Sequence, residues 1–254
     1  MDFTNKYTNN HEEKILLRKT DDLIRRSEKT YSVLYSHFLT PAEQTLLAKV
    51  EEFYGVITFD GGYPDAERRL CRVQTEEYAA DEGTPYVLYS ITATAPDADI
   101  SHRDVLGSLM GLGIKREMIG DIMAGGRTAQ FFCHRSVADY IETSLTKIAR
   151  YHVELKRAAL TEIPEPKTKS ITINISSLRL DCICAECFGL SRTKAAEQIR
   201  KGLVSVNWLV CDNTSKELSG GEKISMRGKG KVKFAGVTGQ SKKGRLFAEI
   251  LKYN

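Results

Sequence analysis

The chain has no run of about 18 consecutive apolar residues, so no membrane-spanning helix is expected. It has no phosphate-binding P-loop, and no glycine-rich turn leads from a strand-like run into a helix-like one. The usual nucleotide-cofactor sites are therefore missing. His102-Arg103-Asp104 has the letters of a kinase catalytic loop, but the metal-binding Asn that belongs downstream of the Asp is replaced by Leu109. The five histidines (His11, His37, His102, His134 and His152) fall at no metal-ligand spacing. Of six cysteines, Cys182, Cys184 and Cys187 are close together in a helix-like run. There the first two point about 200° apart, so they read as small apolar helix residues rather than zinc ligands. No metal, no cofactor and no small-molecule substrate is expected. The opening residues, Met1 to Lys6, lack the apolar stretch of a secretory signal, so a cytoplasmic location with reduced cysteines is expected. No internal repeat or low-complexity tract is visible.

What is present argues for more than one domain. At 254 residues with 41% hydrophobic content, the chain can supply two or three ordinary cores. The expected class is α+β and multi-domain. An N-terminal helical or α+β domain takes residues 1–84, and a small central α/β sandwich takes 85–162. A linker spans 163–170, within the proline-bearing stretch Thr161 to Ser170, and a C-terminal domain follows at 171–254. A weaker boundary falls at Asp81 to Pro85. Apolar spacing predicts one helix over His11 to Phe38, and Thr40-Pro-Ala-Glu43 reads as a capping box with proline at its first position. Val56 to Phe59 reads as a strand closed by a turn at Gly61-Gly62. The middle alternates: strand Tyr86 to Thr94, helix Arg103 to Leu112, strand Thr128 to Cys133, helix Val137 to Ala149, strand His152 to Leu160. That order predicts a sheet covered on one face, with the layout of an RNA-recognition-type fold. The aromatic strand signature that stacks bases in such folds is not evident.

Charge is unevenly divided. Residues 170–254 hold 15 Lys+Arg against 7 Asp+Glu, a net of +8; the whole chain holds 37 against 33, leaving −4 on residues 1–169. A basic domain on a slightly acidic remainder points to a polyanionic partner. Between Arg227 and Arg245 lie seven cations, including Lys242 and Lys243, and no acid. Lys229, Lys231 and Lys233 alternate with Gly230 and Val232, which on a strand gives them one shared face. Taken alone such a run reads equally well as a solvated tail; its neighbours argue otherwise.

Those neighbours occupy residues 178–234. A mostly apolar helix is expected over Leu178 to Phe188, stopped by Gly189. Ser191 stands as N-cap to a second helix, Arg192 to Lys201, stopped by Gly202. Strands are expected at Leu203 to Val206 and Lys223 to Met226. Leu178, Ala195, Ile199, Val204 and Val206 should be core. Arg192 lies in the first turn, where the helix dipole disfavours a cation, so it hints at an anion nearby. A short cationic helix coupled to a tight hairpin resembles the alpha-L RNA-binding motif of the ribosomal protein S-four type, over about a quarter of the chain. The RNA-binding residues expected from this pattern are Arg179, Ser191, Arg192, Lys194, Arg200, Lys201, Asn207, Arg227, Lys229 and Lys231. For Ser191 and Asn207, the roles of cap and turn residue are the preferred reading.

Two further stretches stand out, Phe59 to Arg69 and His102 to Ile122. Together with Ala129-Gln-Phe-Phe132 and the basic domain, they make the chain resemble the YlmH family from about Phe38 to its end. It departs from the wider superfamily in having Trp208 after Asn207 where glycine is common, and Glu222 where Asp is common. The resemblance implies a non-enzymatic RNA-binding factor. Its partners would be structured RNA, both ribosomal RNA and tRNA, on the large ribosomal subunit during quality control of stalled nascent chains. It also carries a link to cell division. The competing reading is an RNA-modifying enzyme, a pseudouridine synthase or methyltransferase, using the basic domain as an accessory. Residues 1–169 are short for the first and lack the cofactor turn of the second.

Overall fold

In the computed structural model, the described residues are 3–77, 79–80, 83–159, 168–241 and 244–253. The chain divides into two compact units, Met1–Pro164 and Glu165–Asn254.

The first unit begins with α1 (His11–Thr30). Asn10 caps it, its side-chain oxygen accepting from the Glu12 N–H at 2.8 Å. Leu17, Thr20, Ile24 and Ser27 form the buried stripe. The helix expected to run to Phe38 ends eight residues earlier. Tyr31 turns left-handed (φ 50°), Ser27 Oγ donates to the Ser32 carbonyl at 2.7 Å, and the Val33–Phe38 segment carries the aromatic Tyr35 and Phe38 and the β-branched Val33. That composition favours β1 (Leu34–Leu39), and the sheet overrides the apolar spacing that mimicked a helix. The Thr40–Glu43 capping box opens α2 (Pro41–Leu47) as expected. Strands β2 (Ile57–Asp60) and β3 (Arg69–Val73) complete an antiparallel sheet in the order β1-β3-β2, packed on α1 and α2 through Leu17, Ile24, Leu39, Leu47, Phe53 and Val73.

The rest of this unit runs β4 (Tyr86–Ala93), α3 (His102–Gly111), β5 (Ile119–Gly125), β6 (Thr128–His134), α4 (Ala138–Ser144), β7 (Lys147–Ile148) and β8 (Tyr151–Arg157). The sheet order is β5-β6-β4-β8-β7, all antiparallel, which is the RNA-recognition-like layout. Three readings are corrected. β5 was hidden in the His102–Ile122 stretch, whose glycines obscure its alternation. The helix expected over Val137–Ala149 stops at Ser144, because Ile148 buries in β7 and Ala149 (φ 49°) turns the chain into β8. Third, the sheet is not covered on one face only. Tyr89, Ile91, Phe131 and Ile141 pack on the helix side, while Tyr86, Leu88 and Phe132 meet Phe38 and Leu70 of the first sheet on the other.

The junction between the two sheets joins the two stretches that stood out in the sequence. Asp121 of β5 accepts from Tyr63 Oη (2.8 Å) and from the N–H groups of Glu67 (2.6 Å) and Arg68 (3.0 Å). The Arg68 guanidinium donates to the carbonyls of Ile119 and Phe38, both at 2.9 Å. Gly62 (φ 91°) lets the loop pass over Phe132: a Cβ there would lie 2.5 Å from the ring.

Among its described residues the second unit is one six-stranded sheet with two helices. Its elements are β9 (Thr168–Ile175), α5 (Leu180–Phe188), α6 (Arg192–Arg200), β10 (Val204–Val206), β11 (Leu209–Val210), β12 (Lys223–Met226), β13 (Gly230–Gln240) and β14 (Leu246–Tyr253), in sheet order β11-β10-β12-β13-β14-β9. Ile183, Ala195, Ile199, Val204, Ile224, Phe234 and Ile250 fill the core between sheet and helices, with Leu178 packed at its margin. Most of the expected linker, with the end of the expected strand at Leu160, lies outside the described residues; Thr168 to Ser170 are the first residues of β9, paired with Tyr253 to Leu251. Asp81 and the Lys242-Lys243 pair lie outside them too. Among the described residues no helix is long and apolar enough to cross a membrane.

Candidate nucleic-acid interface

Ser191 caps α6, its Oγ accepting from the Lys194 N–H at 3.2 Å. Ala195 and Ile199 anchor the helix, and Arg192, Lys194 and Arg200 are exposed around it. The anion that Arg192 calls for belongs to the protein itself. Asp181, in the first turn of α5 and only 4% exposed, faces two guanidinium groups. Arg179 donates through Nε at 3.1 Å and Nη2 at 3.0 Å; Arg192 donates through Nε at 3.1 Å and Nη2 at 3.4 Å. Burial pushes the Asp181 carboxyl up, but the bonds from Arg179 and then Arg192 outweigh it and hold it below the usual range. The clamp fixes the start of α6 on α5 and leaves both arginines partly in solvent.

The remaining expected residues fall into two groups. Arg200 and Lys201 stand at the end of α6, where Lys201 pairs with Glu197 at 2.7 Å. The Leu203 N–H donates to Gln198, and the Leu203 carbonyl accepts from the Arg227 N–H at 2.9 Å. The β12–β13 turn, with Arg227 and Lys229, is thereby docked beside the end of α6. Lys229 lies in that turn rather than on the strand, because Gly228 and Gly230 both take positive φ, so the expected shared face is kept only by Lys231 and Lys233. Lys231 belongs to the second group, on the sheet face away from the helices.

Asn207 is a turn residue. It has φ 47°, its amide donates to Glu222 Oε1 at 3.2 Å, and its oxygen accepts from the Lys223 N–H at 2.9 Å. Glu222 also accepts from the Ser219 N–H at 2.8 Å, so the residue that departs from the wider superfamily still ties the hairpin together. Sequence reasoning left three residues of this face out of the site: Trp208, Lys223 and Tyr253. Alternation along β12 and β14 was the available signal. The Lys223 and Lys231 ammonium groups lie 4.9 and 5.4 Å from the Trp208 ring centre, and 5.9 and 5.0 Å from that of Tyr253.

Cys182, Cys184 and Cys187 are buried in α5, and burial raises the thiols of Cys184 and Cys187, the latter to about 12. Among the described residues no group of three or more His, Cys, Asp or Glu is placed to hold a metal.

Comparison with known proteins divides the chain in three. Residues 12–78 match the family model described as "YlmH, N-terminal", residues 84–162 the "Putative RNA-binding domain in YlmH", and residues 178–224 the "S4 domain". Ribosome-associated protein quality control protein P2 of Bacillus subtilis (strain 168) is 32% identical over 223 residues, 86% of each chain. Among solved structures, the cell division protein ylmH from Streptococcus pneumoniae has a TM-score of 0.52 at 21% identity, covering 61% of this chain and 96% of its own; the likeness is one of fold.

Proposed function

The chain belongs to the YlmH family, and we propose that it acts as an RNA-binding factor on the large ribosomal subunit, holding ribosomal RNA and tRNA while a stalled nascent chain is handled in the cytoplasm. One observation carries this reading. Lys194, Arg200, Arg227 and Lys229 are exposed along the α6 edge and its docked turn, and among the described residues none of them is ion-paired. Unpaired cations on a rigid edge suit a phosphate backbone, and each contact would release counterions. Arg179 and Arg192 contribute through the Asp181 clamp, which sets the direction of α6; Ser191 and Asn207 contribute as cap and turn. The name of the Bacillus relative supports carrying ribosome-associated quality control to this chain, and that of the pneumococcal structure extends the reading to cell division. No catalytic residue is assigned.

The test is sucrose-gradient sedimentation of tagged protein from lysate at low and moderate salt, with crosslinking to identify bound RNA. Co-migration with free large subunits, with crosslinks from the C-terminal unit to ribosomal RNA and tRNA, is expected. Protein that stays at the top of the gradient at low salt overturns the ribosomal assignment.

A further inference from the structure

The sheet face opposite the helices of the second unit has no part in the phosphate edge described above, yet its chemistry is suited to RNA. The β10–β11 hairpin turns on two residues, Asn207 (φ 47°) and Trp208 (φ 67°), both left-handed. Such a two-residue turn favours glycine at its second position, and a bulky ring there works against the backbone. An outlier of this kind is a reason to look for a role in the side chain. The Trp208 ring is half-buried and lies against the ammonium groups of Lys223 and Lys231, which also approach Tyr253. Lys223 stands directly opposite Lys233 across the β12–β13 pair, so the cations are concentrated on this face.

We propose that this face is a second RNA-contact site, in which an unpaired nucleobase stacks on Trp208 while the lysines around it hold the flanking phosphates. The chemistry is that of single-strand binders, where aromatic rings take bases and cations take the backbone. It rests on the RNA-binding reading but asks something more specific of the RNA, namely a base free of its pair.

Trp208 is the only tryptophan of the chain, so its emission reports on this face alone. The full-length protein is titrated with a short RNA hairpin carrying one bulged adenosine and with its fully paired counterpart. The bulged hairpin should quench Trp208 emission and bind about 5- to 140-fold more tightly, the range that one base–aromatic stack supplies. By anisotropy of labelled RNA, Trp208→Gly, which suits the turn, should bring the bulged hairpin down to the affinity of the paired one, and Trp208→Phe should keep much of the preference. Equal binding of both hairpins without quenching overturns the base site and leaves the RNA-binding reading standing. Failure to bind either RNA at low salt overturns both.

Discussion

Replacing Asp181 with Asn tests the idea that α6 is aimed by a buried carboxylate. The substitution keeps shape and removes charge from a side chain that accepts four hydrogen bonds from two guanidinium groups. Breaking a fully buried ion pair by neutralising one partner costs about 3–5 kcal/mol. Here Arg179 and Arg192 keep side-chain exposures of 34% and 54%, so water offsets part of that loss. About 2 kcal/mol is the reasonable figure. In a unit of the size of Glu165–Asn254, it corresponds to a Tm lowered by about 8–16 °C.

The pH dependence follows from the direction of the shift. The Asp181 pKa is lower folded than unfolded, so its contribution is complete above the ordinary value of about 3.9 and fades as the pH falls through the folded value. Asn does not titrate. Scanning calorimetry of the full-length chain should therefore show a gap between wild type and variant that is full at neutral pH and narrows below about pH 4. A gap under about 2 °C at pH 7, or one that does not change with pH, would refute the clamp. The same geometry makes Arg192→Ala an ambiguous probe of RNA binding, since it removes a cation and loosens Asp181 together.

Lys194 and Arg200 are free of that ambiguity: the double change Lys194→Glu, Arg200→Glu should leave the Tm nearly unaltered and reduce the slope of log affinity against log salt by about 0.7–0.9 per lost phosphate contact, read from RNA titrations at several ionic strengths. Asp121→Ala leaves three donors at the sheet junction without an acceptor, so the first unit should lose about 2–3 kcal/mol and melt about 4–12 °C lower by calorimetry. Two glycine-to-alanine changes should move stability in opposite directions in denaturant titrations. Gly62→Ala presses a methyl into Phe132 and costs about 1–3 kcal/mol, whereas Gly107→Ala, inside α3 with open space around it, gains about 0.5–1 kcal/mol. Under a thiol reagent, half-exposed Cys211 should label first, well ahead of Cys71 and Cys133, whose thiols burial raises to about 12; mass spectrometry of partly labelled protein reads the order.

Local signals were legible in the sequence, and contacts between distant residues were not. The Thr40–Glu43 box, the Ser191 cap and the glycine stop after Phe188 are each written in a few adjacent residues. The end of α1 was not legible because Val33 and Leu34 continue the helical spacing, and only distant partners, the Ala80 carbonyl for Val33 and Val73 of β3 for Leu34, turn them into a strand entry. β9 and β14 escaped notice because each is defined by the other, over eight paired residues separated by more than half of the unit. In the candidate site, the cations of α6 and the β12–β13 turn could be picked out by charge, whereas Lys223 was not. Their division into a clamp, an exposed edge and a lysine–aromatic face could not, since Asp181 meets Arg192 across eleven positions and Trp208 meets Lys231 across two hairpins.

The central sheet shows why fold and function must be argued separately. Its layout is that of an RNA-recognition-type domain, in which the face away from the helices presents aromatic rings to bases. Here β6 does carry two adjacent phenylalanines, but Phe131 points into the helix-side core. Phe132 stacks on Tyr63 at 5.8 Å, meets Tyr86 edge-on and is covered by Phe38 and Leu70. The rings that could have stacked on bases instead join the N-terminal sheet to the central one, and Gly62 and Gly120 make room for the join. Net charge points the same way, since the excess of cations lies wholly in the second unit. A layout made for base stacking has become an internal joint, and on the reading proposed here the stacking is done by a single tryptophan on the other sheet.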